Sequence, residues 1–274
     1  MTDAGKINLN SDFLSSLRET SESAARLGGK CLMKWLGKAS VREKGPGDLV
    51  TQADLESQEL IRDFILERFP DHRFVGEEDS VSETDSGNES QFCWIVDPLD
   101  GTTNFVHGMR AFCTSIGLAY NGKLIAGTVF APSLNECFSA VAGAGATLNG
   151  QKIKTSGRES VKDSLLVCSF KSRVAEDDLQ VRRFARVITR ALSVRRLGSA
   201  ALNLCYVAGG RLDGYWATSL NSWDVAAGAL ILQEAGGTIC GIEGDEFDWT
   251  RPQMVATSTT VLRDELLELL HSVK

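Results

Sequence analysis

Apolar positions in the first seventy residues recur at helical spacing. Phe13, Leu14, Leu17, Ala24, Leu27 and Trp35 predict a helix over 11–37, with Ser11 or Asp12 at its cap. Leu55, Leu60, Ile61, Phe64, Ile65 and Phe69 predict a second helix over 52–69, ended by Pro70. Between them, Lys44-Gly45-Pro46-Gly47-Asp48 reads as a loop. Residues 79–91 are polar and read as a surface loop. From there the period shortens, and apolar runs predict strands at 92–97, 112–120, 123–131 and 135–141. Asn121-Gly122 predicts a tight hairpin, and Asn149-Gly150 repeats the signal. The second half mixes periods: strands at 164–169, 193–197 and 212–217, and helices near 176–191, 199–208, 223–235 and 261–272. This pattern predicts an α/β fold with mixed sheets (α+β). With no long linker and no internal repeat, 1–274 reads as one compact domain with approximate halves 1–150 and 151–274.

Charge narrows the partners. Thirty-six acidic against 29 basic residues give a formal charge of −7. Non-specific nucleic-acid binding needs a basic surface, so no nucleic-acid partner is expected. An anionic substrate stays open, because a bound cation inverts the local field. No apolar run approaches the ~18 residues of a membrane span, and Met1-Thr2-Asp3-Ala4-Gly5-Lys6 lacks a signal pattern. Seven scattered cysteines, with no CxxC, argue against a disulfide framework or a zinc site. They read as reduced, mostly buried thiols of a cytoplasmic protein.

The chemistry concentrates in Trp94-Ile95-Val96-Asp97-Pro98-Leu99-Asp100-Gly101-Thr102-Thr103. An apolar strand delivers Asp97 to its end, where Pro98 is expected to stop the ladder. Asp100 follows closely, and Gly101 permits a tight turn. Two carboxylates ~4 Å apart repel by about 4 kcal/mol at an effective dielectric near 20. Either one is protonated or a hard cation lies between them, and magnesium favours such oxygen ligands. A plain strand-to-turn connection uses the same residue types. By chance, the fixed positions of DPxDGT/S should arise in on the order of one such chain in ten thousand. The N–H groups of Gly101 and Thr102 could face an anion if a helical turn begins there. Two further acidic segments are Phe74-Val75-Gly76-Glu77-Glu78 and Ser222-Trp223-Asp224. Alone, the first reads as solvated surface and the second as a helix-capping acid.

In this order and spacing, the three segments resemble the inositol monophosphatase family, whose superfamily also holds fructose-1,6-bisphosphatases and phosphoadenosine phosphate phosphatases. The resemblance covers roughly 44–260. It implies a layered αβαβα sandwich, a homodimer, and a Mg²⁺-dependent phosphatase that hydrolyses a small phosphate monoester by metal-activated water. Two to three ions are implied. Glu77, Asp97 and the Leu99 carbonyl would hold the first; Asp97, Asp100 and Asp224 the second; a third would sit near Glu77. Asp48-Leu49-Val50-Thr51-Gln52-Ala53-Asp54 is similar to the family's DLVTxAD stretch, so Asp54 would pair with Thr102 to activate water, with Lys44 nearby. Asp100, Gly101 and Thr102 would meet the phosphate. Ser199 and Ala200, in Leu197-Gly198-Ser199-Ala200-Ala201, would lie beside the substrate ring.

One position departs from the family. Seven residues before the WD aspartate, where inositol monophosphatases usually carry a substrate-binding glutamate, stands Ala217. A sugar bisphosphate, histidinol phosphate or nucleotide 3′-phosphate is therefore an alternative substrate. A regulatory protein on a phosphatase scaffold is a further alternative. Lys171 or Arg173 could meet a second anionic group or simply face solvent. His72, His107 and His271 lack metal spacing and read as structural. Arg182, Arg183, Arg186, Arg190, Arg195 and Arg196 read as a solvated basic face.

Overall fold

The computed structural model describes residues 10–45, 48–79, 90–171 and 173–273, except the side chains of 44, 45 and 48. Helix α1 (Ser11–Trp35) is capped by Asn10, whose side chain accepts from Asp12 N, one residue earlier than expected. Strands β1 (Val41–Gly45) and β2 (Asp48–Thr51) pair antiparallel where a loop was expected. Their short polar run lacks the apolar alternation that marks a strand. Thr51 then caps α2 (Gln52–Arg68).

The first sheet has seven strands in the order β3 (Arg73–Gly76), β4 (Phe92–Asp100), β5 (Cys113–Tyr120), β6 (Lys123–Ala131), β7 (Glu136–Val141), β8 (Gly145–Leu148) and β9 (Gln151–Lys152). Both Asn-Gly pairs turn hairpins with positive φ at both residues, as expected. The second sheet has the order β11-β10-β12-β14-β13, with β10 (Leu165–Ser169), β11 (Ser193–Arg195), β12 (Gly214–Ala217), β13 (Thr238–Gly241) and β14 (Met254–Thr257). Strands β11, β10 and β12 run parallel. The remaining helices are α3 (Thr102–Val106), α4 (Leu179–Ile188), α5 (Ala200–Ala208), α6 (Ser222–Glu234) and α7 (Thr260–His271).

Five layers result. Leu17 and Ala24 of α1 and Ile61 and Ile65 of α2 cover Trp94, Val96, Ile116 and Leu118 on the outer face of the first sheet. Helices α5 and α6 fill the middle, with Leu204, Ala227 and Ile231 meeting Val129 and Phe138 from one sheet and Val167, Tyr215 and Met254 from the other. Helices α4 and α7 close the far side over Leu166, Trp216 and Val255. This αβαβα sandwich is the expected architecture. It explains the composition of α6, whose residues from Val225 to Leu232 are all buried because a sheet lies on each side.

One close approach sets the position of α6. Gly117 and Gly127 are direct cross-strand partners on β5 and β6. A Cβ on Gly127 would stand 2.8 Å from Ala227 O and 3.0 Å from Ala227 Cα, and one on Gly117 2.7 Å from the Ala226 methyl. The bare glycine pair lets the helix backbone rest on the sheet.

His72 is structural, as expected. Its ring is sandwiched between Phe69 and Phe92, at centroid distances of 4.7 and 4.4 Å, and its Nδ1 accepts from Trp94 Nε1 at 3.0 Å. Burial holds its pKa below the ordinary histidine value of 6.5. The unfolded chain therefore binds a proton that the fold resists, and stability should fall as pH drops below about 6.5. In chemical denaturation, His72→Phe should remove that part of the pH dependence. All seven cysteines are free thiols. Burial raises Cys31 to about 11 and Cys137 and Cys168 to about 12, so these stay neutral. Among the described residues no helix is long and apolar enough to cross a membrane.

Candidate active site

Pro98 does not stop β4. The strand continues to Asp100, with Asp97 opposite Ser115 and Asp100 opposite Cys113. Three steps on β4 match two on β5, so one extra residue is bulged at Pro98–Leu99. Proline is tolerated here because β3 pairs only as far as Val96. The bulge changes the strand's phase. Residues three apart normally face opposite sides of a sheet; the extra residue turns Asp97 and Asp100 to the same side. The Pro98 carbonyl accepts from Ser57 Oγ at 3.3 Å and Thr114 Oγ1 at 3.2 Å, and Leu99 N donates to Asp97 Oδ1 at 2.9 Å.

Both carboxylates face the middle layer, where two helix starts meet them. Asp100 accepts from Ser199 Oγ at 2.6 Å, Ala201 N at 2.7 Å and Ala200 N at 3.1 Å, all at the start of α5. Asp224 lies in the first turn of α6, and its Oδ2 accepts from Asn221 N at 2.6 Å. Ser115 Oγ, donating to Trp223 O at 3.3 Å, ties that turn to β5. One carboxylate oxygen each from Asp97, Asp100 and Asp224 lie within 4.8 Å of one another. Asp97 is 2% exposed and Asp100 7%.

Three acids so close and so dry are electrostatically costly. Burial pushes the Asp97 carboxyl well above the usual carboxylate range; the charges of Glu77, Asp100 and Asp224 add to it, as does a hydrogen bond with Glu77. Burial also raises Asp100, against the Ser199 hydroxyl and the Ala201 and Ala200 amides, which favour its charged form. A hard cation would satisfy this all-oxygen set. The nearby Cys113 thiol, 3.7 Å from Asp100 Oδ2, is held neutral by burial, so it offers no thiolate to compete. These residues fit magnesium.

Glu77 enters from β3, its N–H donating to Val96 O at 3.0 Å. The turn that carries it is clamped from α2. Gln58 Nε2 donates to Asp79 Oδ1 at 2.8 Å, Gln58 Oε1 accepts from Glu78 N at 3.0 Å, and Gly76 N donates to Asp79 Oδ2 at 2.7 Å. Asp54 sits in the first turn of α2, where its Oδ2 accepts from Thr51 N and Thr51 Oγ1 at 2.8 and 2.7 Å. Its Oδ1 faces Thr102 Oγ1 at 3.4 Å, and that hydroxyl also reaches Leu99 O at 3.1 Å. Gly101 caps α3 with φ +96°, and a Cβ there would stand 2.9 Å from Ala111 O.

The structure thus gathers Asp54, Glu77, Asp97, Leu99, Asp100, Gly101, Thr102 and Asp224. Ser199 and Ala200 are present too, with their hydroxyl and amide directed at Asp100. Lys44 lies in β1, and its side chain falls outside the described residues, as do residues 80–89 of the expected polar loop. Ala217 is fully buried on β12 opposite Ser169 and presents no side-chain surface. Lys171 is exposed, and Arg173 lies 3.9 Å from Glu43. Not all of the arginine stretch is solvated: Arg183 is 5% exposed, its Nε donating to Leu270 O, and Arg186 Nε donates to Ser272 Oγ, so both tie α4 to the end of α7. Sequence reasoning missed Ser57, Gln58 and Thr114. The first two follow Asp54 by three and four residues, the spacing that puts them on one helical face.

Comparison with known proteins identifies the family. The sequence profile of the inositol monophosphatase family matches residues 14–274. An inositol-1-monophosphatase of Mesorhizobium japonicum is 37% identical over 267 residues, covering 95% of this chain and 97% of that protein. The Nus factor SuhB of Pseudomonas aeruginosa is 37% identical over 242 residues, covering 86% and 89%. The solved structure of an Anabaena inositol monophosphatase superposes with a TM-score of 0.85 at 34% identity, covering 96% of this chain and 98% of that one. The chain belongs to the inositol monophosphatase family, a family of phosphoric monoester hydrolases.

Proposed function

We propose that this chain is a magnesium-dependent phosphatase acting on a small phosphate monoester. The cluster of Asp97, Asp100 and Asp224 oxygens within 4.8 Å of one another carries the reading. Glu77, Asp97 and the Leu99 carbonyl would hold one ion, and Asp97, Asp100 and Asp224 another, with a third near Glu77. Bound magnesium supplies the positive charge that activates water and stabilises the leaving oxygen. The chain's own groups do the rest. The Thr102 hydroxyl and the Asp54 carboxylate form a pair that orients water and takes its proton. Asp100, locked by three hydrogen bonds, cannot swing away as charge builds up. The N–H groups at the start of α3 have no partner within that helix and would meet phosphate oxygens. By resemblance the working unit is a cytoplasmic homodimer.

The direct test is phosphate release from a panel holding inositol phosphate, a sugar bisphosphate, histidinol phosphate and a nucleotide 3′-phosphate. Release that EDTA abolishes and Mg²⁺ restores is expected. No release from any member would favour the regulatory alternative.

Ala217 bears on which substrate wins. An alanine side chain can accept no hydrogen bond from a substrate hydroxyl, and a hydrogen bond to a charged group contributes about 1.5–3 kcal/mol. Because Ala217 is fully buried, a carboxylate introduced there should lower Tm, and Ala217→Glu should raise kcat/KM for inositol 1-phosphate about tenfold relative to the other panel members only where its longer side chain reaches out of the core. An unchanged ratio in a folded variant would show that this position does not set the preference.

A further inference from the structure

We infer that Gln58, supported by the Arg62–Asp79 ion pair, is a positioning residue that holds Glu77 at the distance from Asp97 required to bind magnesium. The inference rests on the reading of Glu77 as a metal ligand, and it starts from α2. Asp54, Ser57, Gln58 and Arg62 lie at helical spacings of three, four and eight, so they share one face of a rigid rod. Together they touch three parts of the site. Asp54 faces Thr102, Ser57 Oγ donates to Pro98 O in the β4 bulge, and Gln58 and Arg62 reach the turn after β3.

That turn carries Glu77, and Gln58 and Asp79 tie it to α2. Gln58 is 6% exposed, and both ends of its amide are used, one accepting from Glu78 N and the other donating to Asp79. The Asp79 side chain is 2% exposed. It takes Gly76 N on one oxygen and shares the other between Gln58 and the Arg62 guanidinium, which also lies over the Phe74 ring at 4.8 Å. A Cβ at Gly76 would overlap the Gln58 amide, so the glycine and the glutamine are matched in shape. The backbone on both sides of Glu77 is thus fixed to the same helix that fixes the Asp97 bulge. Groups that orient ligands in this way typically carry 10–100-fold of metal affinity.

The experiment is Mg²⁺ titration calorimetry on the full chain, comparing wild type, Gln58→Leu, Glu77→Gln and the double variant, with Asp79→Asn as a second disruption of the clamp. Gln58→Leu and Asp79→Asn should each weaken Mg²⁺ binding about tenfold. In the Glu77→Gln background, Gln58→Leu should add less than about twofold, because its effect passes through Glu77. A purely structural glutamine would lower Tm and leave the Mg²⁺ Kd unchanged. That result, or an equal loss in both backgrounds, would overturn the inference. If Glu77→Gln itself leaves the wild-type affinity intact, the assignment of Glu77 as a ligand fails, and this inference fails with it.

Discussion

Asp97→Asn should reduce Mg²⁺-dependent turnover by at least ~10³-fold, about 4 kcal/mol of transition-state stabilisation. Asp97 is the one carboxylate shared by the first two proposed ions, and asparagine keeps its shape while removing its charge. Stability should move the other way. In the metal-free fold, burial and three neighbouring acids raise the Asp97 pKa. The fold then holds a proton that the unfolded chain releases above about pH 4. That contribution is complete at low pH and is lost as pH rises through the raised pKa. Asparagine has no proton to lose. In EDTA at neutral pH the variant should melt at or above the wild-type Tm, and added Mg²⁺ should stabilise it far less. A variant that unfolds in EDTA while wild type does not would count against this electrostatic account.

Gly127→Val should damage stability and metal binding together. Its Cβ would press on the Ala227 backbone, which cannot rotate aside as a side chain can. Overpacking of this kind costs about 1–3 kcal/mol. Relief requires α6 to lift from the first sheet, and Asp224 rides on the first turn of α6. The Mg²⁺ concentration for half-maximal activity should rise about tenfold, the loss expected when a ligand's support is disturbed. A valine that lowers Tm without moving the Mg²⁺ requirement would show that the glycine pair serves packing alone.

Much of this was legible in the chain. The hairpins at Asn121-Gly122 and Asn149-Gly150 were readable because only left-handed φ suits both turn positions. Helices α2, α5, α6 and α7 fell within a residue or so of their expected bounds, because apolar period and capping residues agree there. Helix α4 came out shorter than expected, starting only after its Asp178 cap. Three features resisted reading. The β1–β2 hairpin has no buried alternating face to advertise it. Pro98 looked like a strand terminator, whereas β4 passes it through a bulge, a device that depends on where its neighbours stop pairing. Ser199 and Ala200 looked like substrate neighbours on resemblance, but their bonds to Asp100 depend on two sheets meeting through α5. Residue types announced the clustered acids. The hydroxyls and amides that hold those acids belong to long-range packing, with sequence separations such as the 99 residues between Asp100 and Ser199.

Glu77, Asp97, Asp100 and Asp224 are proposed to form one magnesium centre that receives a phosphate. A crystal structure of the protein grown with Mn²⁺ and inorganic phosphate, with anomalous scattering from the manganese, tests it most directly. The expected result is an anomalous peak enclosed by Asp97, Asp100 and Asp224, a second beside Glu77 and Leu99 O, and phosphate near Thr102. Phosphate bound elsewhere, or full Mn²⁺ occupancy away from these four carboxylates, would contradict it.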